Sequence, residues 1–389
     1  MTWDPIVDGE LAGRTRAVVA ELVDALATVA APSHELALFW TYAAAALESD
    51  PPLAARIAAA AAPAMARFAD DLQHAPPRVL ALHGGLAGYA WVAAHVADGI
   101  EPWLAAVDAT LTTALAGWTG DYDLISGLVG FAVYALERGD AATLARIVDL
   151  LATRATHLPD GIAWFTSADL VAGVHRRTYP HGYYNCGLAH GVPGVVAVLA
   201  RIAAHPAATS ATRATAGELR DEATRWLLAQ RLPGREFPAA AGGPPSRTAW
   251  CYGDPGVAVA LWDAAAPADR DALALGWIGR DAVGIADAAI CHGSAGLAHL
   301  ANRMFHATRD DRYRAAARGW IAHTLDLHRP GSGVGGFMMV RAGAPVATAS
   351  LVDGAIGTAL VLLAASTEVE SVWDRMFLCD LPVVDLASR

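Results

Sequence analysis

The chain has 389 residues, 54% of them hydrophobic and 17% charged, with a net charge of −11; this acidic balance excludes the basic footprint that nucleic-acid binding needs. Four cysteines in a chain of this length, whose opening residues lack the basic segment and apolar core of a secretory signal, exclude a disulfide framework and leave metal binding or catalysis. The uncharged stretches 79–97 and 178–200 reach the length of a membrane span, but each carries two histidines and several glycines, so no span is expected.

Taken in chain order, the first recognisable unit is the apolar run 32–43, which has no glycines. A Gly-x-x-Gly step leading into a similar apolar run then recurs. Its glycines are Gly85 and Gly88, Gly127 and Gly130, Gly191 and Gly194, Gly253 and Gly256, Gly293 and Gly296, and Gly354 and Gly357. The steps recur at intervals of roughly 40 or 60 residues, and such self-similarity marks a repeat architecture. Run 32–43 counts as a seventh, degenerate copy. Glycine lets another segment approach closely, so each step predicts a tight entry into a helix. The nearly all-apolar run after it predicts a helix buried on all sides. Amphipathic stretches between the runs, such as 140–149, predict outer helices with one wet face. Closing such hairpins into a ring would bring the glycine turns around one mouth and hold 1–389 as a single domain. Segment 159–184 breaks the helical pattern. Its Gly161–Thr166 stretch and the turn at Pro180-His181-Gly182 predict a short irregular or β-like insert. The Pro/Gly-rich stretch 233–246 is read as a loop.

Two of the turns carry chemistry. Trp250-Cys251-Tyr252-Gly253 and Cys291-His292-Gly293 place soft ligands just before the first glycine. Two thiolates and one imidazole make three zinc ligands with a fourth position open, the pattern of a catalytic rather than a structural site. The plainer alternative is a buried cysteine beside a paired histidine, and the second cysteine in an equivalent motif weighs against it. Cys186 and Cys379 lie outside the motifs and read as small buried hydrophobes.

With these motifs the chain resembles the lanthionine synthetase C-like cyclases. The resemblance rests on Trp-Cys-Tyr-Gly at 250–253, Cys-His-Gly at 291–293, Asn-x-Gly-Leu-Ala-His-Gly at 185–191 and Tyr-Asp-Leu-Ile-Ser-Gly at 122–127. Asp353-Gly354 and Trp373-Asp374-Arg375 extend it to the tail. It implies an all-α fold, an α/α toroid of about seven helical hairpins. It implies a stand-alone, Zn2+-dependent lanthipeptide cyclase that adds peptide cysteine thiolates to dehydroalanine or dehydrobutyrine and so forms thioether rings. Its substrate would be a dehydrated precursor peptide with a leader and a cysteine-containing core. Its partner would be a lanthipeptide dehydratase, and its location the cytoplasm, either free or peripheral to a membrane-associated complex.

The resemblance assigns Cys251, Cys291 and His292 to the metal and carries catalytic roles onto His190, Asp123, Arg247 and Tyr252. A thiol with a pKa of about 8.5 is mostly protonated at neutral pH, and a coordinating metal deprotonates it. His190 is the candidate acid for the enolate formed by addition, because histidine titrates near working pH. Asp123 would orient His190, while Arg247 and Tyr252 would stabilise the enolate oxygen. Each has a plainer alternative: His190 bonding backbone, Asp123 capping a helix, Arg247 in a surface ion pair. His83 is read as structural or lining the mouth, and His181 with Tyr183 and Tyr184 as part of the peptide entrance. Two other functions share the sequence features: addition of a glutathione-like thiol to dehydrated residues in proteins, and a non-catalytic peptide-holding scaffold.

Overall fold

A computed structural model describes residues 3–383 apart from 172, 174, 235 and 342. The helices, in chain order, are α1 (Gly9–Leu26), α2 (Ser33–Ala46), α3 (Pro51–His74), α4 (Leu86–Val96), α5 (Glu101–Ala116), α6 (Leu128–Arg138), α7 (Ala141–Arg154), α8 (Val192–Ala204), α9 (Ser210–Ala229), α10 (Asp254–Ala260), α11 (Pro267–Ile278), α12 (Ser294–Thr308), α13 (Asp311–Leu327) and α14 (Ala355–Ser366). A 3-10 turn follows at Val372–Phe377. The strands are β1 (Thr156–Leu158), β2 (Gly161–Ala163), β3 (Phe165–Thr166), β4 (Tyr183–Tyr184), β5 (Met339–Arg341) and β6 (Ala344–Val346), paired antiparallel as β1–β2, β3–β4 and β5–β6. Among the described residues no helix is long and apolar enough to cross a membrane.

The chain divides into two compact units. The first comprises Met1–Pro76, Ile278–Asp374 and Cys379–Arg389; the second comprises Pro77–Trp277 and Arg375–Leu378. In the second unit α4 packs on α5, α6 on α7 and α8 on α9; in the first, α2 packs on α3 and α12 on α13. The glycine-led helices are buried nearly throughout, α8 and α14 being examples. Their partners bury one stripe: α7 buries Leu144, Ile147, Val148 and Leu151 at helical spacing. Each such side chain taken from water contributes about 1.5–3 kcal/mol.

The glycine steps have a steric cause. All six glycine-led helices begin at the residue after the first glycine, which stands at the N-cap without a side-chain cap. The open N–H groups are met instead by carbonyls of the preceding loop. Leu86 donates to Val79 at 2.7 Å and Val192 to Asn185 at 2.9 Å; in the first unit Ser294 donates to Asp287 at 2.9 Å. This draws the loop over the first helical turn. A Cβ on the second glycine would then strike the carbonyl oxygen lying six residues earlier: Leu82 for Gly88, Trp250 for Gly256, Ile290 for Gly296.

Successive turns are also bonded to one another. In the second unit Leu82 N–H donates to Ile125 C=O at 3.1 Å, Leu124 to Ala189 at 3.2 Å, and Ala189 to Cys251 at 3.3 Å. In the first unit Cys291 N–H donates to Val352 C=O at 3.1 Å. The degenerate copy, α2, offers no such carbonyl: Leu351 N–H donates at 2.9 Å to a carboxylate oxygen of Glu35 instead.

The expected insert carries two short antiparallel strand pairs, the first of which reaches back to Thr156. Phe165 and Thr166 pair with Tyr184 and Tyr183. The Trp164 indole donates to Leu151 C=O at 2.9 Å, and the Tyr122 hydroxyl donates to Trp164 C=O at 2.9 Å, fixing the insert to α7 and to the turn before α6. The β5–β6 hairpin was not expected from the sequence.

Candidate active site and metal ligands

The second unit gathers five of the seven expected site residues. His190 stands immediately before Gly191, and its Nδ1 lies 2.5 Å from Asp123 Oδ2. Asp123 is buried, and its other oxygen accepts the Ser126 N–H at 2.8 Å and the Ser126 hydroxyl at 3.2 Å. It therefore both shapes its own loop and holds the histidine. Burial, the largest influence on His190, pushes its pKa down. The hydrogen bond and charge of Asp123, with charge on Cys251 and Asp121, outweigh it and raise the pKa overall. Asp121 is itself pushed up to about 6, by burial and then by the Asp123 charge.

Tyr252 stands before Gly253 as His190 stands before Gly191, and the two rings lie 6.4 Å apart. Asn185, buried, donates through Nδ2 to the Tyr252 hydroxyl at 3.0 Å and to the Tyr183 hydroxyl at 2.8 Å. Its Oδ1 accepts Gly187 N–H at 2.8 Å. A Cβ on Gly187 would lie 2.5 Å from the Tyr252 ring, so glycine there gives the ring its seat. Burial, and then the neighbouring Tyr183, hold the Tyr252 pKa well above the ordinary phenol value, so the hydroxyl stays a donor. Arg247 and Tyr252 line one cleft with Tyr183. Among the described residues no carboxylate lines this cleft.

The first unit holds Cys291 and His292. Cys291 is fixed through its N–H to Val352 C=O. His292 Nε2 lies 3.4 Å from Val340 C=O and 3.6 Å from Asp287 Oδ2. Asp287 is buried and accepts Val340 N–H at 2.8 Å and Ala289 N–H at 3.0 Å. The ring thus turns Nε2 toward the Val340 carbonyl and the Asp287 carboxylate. A histidine ligand whose second nitrogen meets a carboxylate and a carbonyl is the usual outer arrangement of a metal site.

Cys186 and Cys379 are buried, as expected of small hydrophobes; burial pushes the Cys186 thiol up to about 12. His83 lies against Phe377, ring centroids 5.2 Å apart, and burial pushes it down to about 4. His181 is exposed. Asn185 and Gly187 were quoted in the motif at 185–191 but given no role, and Asp287 and the β5–β6 hairpin were missed. One signal was available: Asp121, Asn185, Arg247 and Asp287 each stand six residues before the first glycine of their turn. Superposing the turns on their glycines brings these four polar residues into register.

The family model described as "Lanthionine synthetase C-like protein" matches residues 36–378. Among solved structures, one titled "Nisin cyclase" is similar with a TM-score of 0.71 and 18% sequence identity, covering 89% of this chain and 90% of that one. At that identity the likeness shows the fold, which is the α/α toroid class expected from the sequence. No curated protein matches the chain by sequence.

Proposed function

Because the chain belongs to the lanthionine synthetase C-like family, we propose that it is a thioether-forming cyclase acting on a dehydrated precursor peptide. The observation that carries this is the Asp123–His190 pair with Tyr252 on the neighbouring turn, all within one unit. Cys251, Cys291 and His292 would hold a zinc ion. The donor set fits: two thiols and an imidazole already oriented through its other nitrogen. When bound, zinc supplies the coordination that lowers the pKa of the peptide thiol.

The chain's own residues then manage the acceptor. The new bond joins sulfur to the β-carbon of the dehydro residue, and the π electrons move onto the amide oxygen. The Arg247 guanidinium and the Tyr252 hydroxyl donate to that oxygen as charge develops. His190 returns a proton to the α-carbon. Asp123 accepts the hydrogen bond from its Nδ1–H, keeps Nε2 toward the substrate and stabilises the imidazolium form. One thiol proton is lost and one Cα–H gained, so mass is unchanged. The substrate would be handed over by a dehydratase. The test is incubation of the purified protein with a dehydrated, cysteine-containing peptide. Loss of free thiol at constant mass is expected; thiols that persist under zinc-replete conditions would overturn the proposal.

A further inference from the structure

Tyr122 lies between Asp121 and Asp123 in the turn before α6, and it is buried. Its backbone is held inside that turn: the N–H donates to Asp121 Oδ1 at 2.7 Å, and the C=O accepts Val129 N–H at 3.0 Å. Its side chain leaves the turn for the insert. There the hydroxyl donates to Trp164 C=O at 2.9 Å and lies 3.2 Å from Thr166 Oγ1. With its one proton committed to the carbonyl, the phenol oxygen accepts from the Thr166 hydroxyl. Trp164 and Thr166 are buried as well.

Both ends of this connection reach site residues of the second unit. At one end Tyr122 runs directly into Asp123, whose Oδ2 lies 2.5 Å from His190 Nδ1. At the other end Thr166 pairs with Tyr183 across β3 and β4. The Tyr183 hydroxyl accepts from Asn185 Nδ2, which also donates to the Tyr252 hydroxyl. His190 and Tyr252 stand on different glycine turns with their rings 6.4 Å apart. The repeat joins those turns through their backbones, Ala189 N–H to Cys251 C=O at 3.3 Å. The insert adds a side-chain path from the carboxylate behind His190 to the amide behind Tyr252.

The Tyr122 hydroxyl has little to do for the turn itself, which its backbone bonds already close. The insert has its own anchor on α7 through the Trp164 indole and Leu151 C=O. What the hydroxyl adds is a tie between the insert and the residue next to Asp123. A bond as short as that between Asp123 and His190 weakens steeply with displacement or misalignment. We propose that the insert is a frame for the His190 and Tyr252 side chains, and that Tyr122 is the positioning residue that holds Asp123 against His190 by way of Trp164 and Thr166. That the two framed side chains act on one substrate rests on the cyclase reading.

Tyr122→Phe tests the frame, because it keeps the ring and removes only the hydroxyl. In full-length protein labelled with 15N-histidine, the Nδ1 proton of His190, assigned by its loss in His190→Gln, reports the bond to Asp123. It is expected far downfield in wild type. In Tyr122→Phe it is expected to move upfield and to exchange with water about fivefold faster. Thr166→Val should move it in the same direction, and the double variant no further than Tyr122→Phe alone, since both break one path. Trp164→Phe separates positioning from stability. It removes the bond to Leu151 C=O but keeps the carbonyl that Tyr122 meets, so it should lower the melting temperature and leave the signal in place. At a temperature where Tyr122→Phe is folded, its ring closure should fall about five- to tenfold in kcat, with KM and zinc content unchanged. The inference is overturned if the His190 signal of Tyr122→Phe matches wild type, if Trp164→Phe moves it as far, or if KM rises while kcat holds. A wild type that closes no rings would sink the cyclase reading alone, because the spectra need no turnover.

Discussion

The turns before α8 and α12 share a backbone and differ in chemistry. Each puts a histidine just before the first glycine and draws a carbonyl from six residues earlier onto the helix start. In one turn a carboxylate meets Nδ1 of His190; in the other a carbonyl and a carboxylate meet Nε2 of His292. On the proposed reading, the nitrogen used for function is Nε2 in the first case and Nδ1 in the second. The repeat fixes where a side chain stands, and its neighbours fix which atom it offers: Asp123 of another turn for His190, and Val340 with the turn's own Asp287 for His292. On this account one histidine becomes a proton donor and the other a metal ligand through partners alone.

The comparison breaks most visibly at the metal. Cys291→Ala should lose about one equivalent of zinc and all ring closure, read by metal analysis and thiol titration of the same samples; a variant that retained full zinc would remove the His292 turn from metal chemistry. His190→Ala should keep its zinc and lose on the order of 10²–10⁴ in ring-closure rate. Rate and zinc falling together would mean that the two histidines do not have separate jobs. Asp287→Asn sharpens the contrast, since it leaves every ligand in place while changing the group that faces Nε2 and accepts the Val340 and Ala289 N–H groups. Zinc affinity should fall about 10–100-fold in competition with a chelator, and unchanged affinity would show that Asp287 merely shapes its loop.

The smallest effect on chemistry belongs to the degenerate copy, where Glu35 replaces a turn carbonyl. Burial, and then the Asp353 charge, raise the Glu35 pKa from 4.5 to about 7. Between those values the folded state holds a proton that the unfolded chain has released. Stability is therefore full below about pH 4.5 and declines as pH rises through about 7. Glu35→Gln should abolish that decline, worth about 1–3 kcal/mol at pH 8, without changing ring closure at pH 6. Denaturation midpoints at pH 5 and pH 8 check this, and a wild type more stable at pH 8 on Glu35's account would reverse the sign.

What the sequence made legible follows from distance along the chain. The second glycine answers to a carbonyl six residues away, so the constraint is local and repeats visibly. Buried helices such as α14 were readable from their apolar runs. His190 and Asp123 stand 67 residues apart, and only the equivalence of their turns and the family resemblance joined them. Asn185 and Asp287 escaped because their partners lie on other segments: the Tyr252 hydroxyl for one, the β5 backbone for the other. That hairpin left only a glycine-rich stretch and a short turn to announce it. Glu35 was illegible as well, since nothing in an apolar run says that a carboxylate will take the place of a peptide carbonyl.

The central claim is that two equivalent turns present opposite histidine nitrogens. Replacing zinc by 113Cd in 15N-histidine-labelled protein tests it most directly. Long-range nitrogen–proton spectra should show metal coupling to one ring nitrogen only, the Nδ1 of His292, and an uncoupled His190. Coupling to Nε2 of His292, or to either nitrogen of His190, would contradict the account.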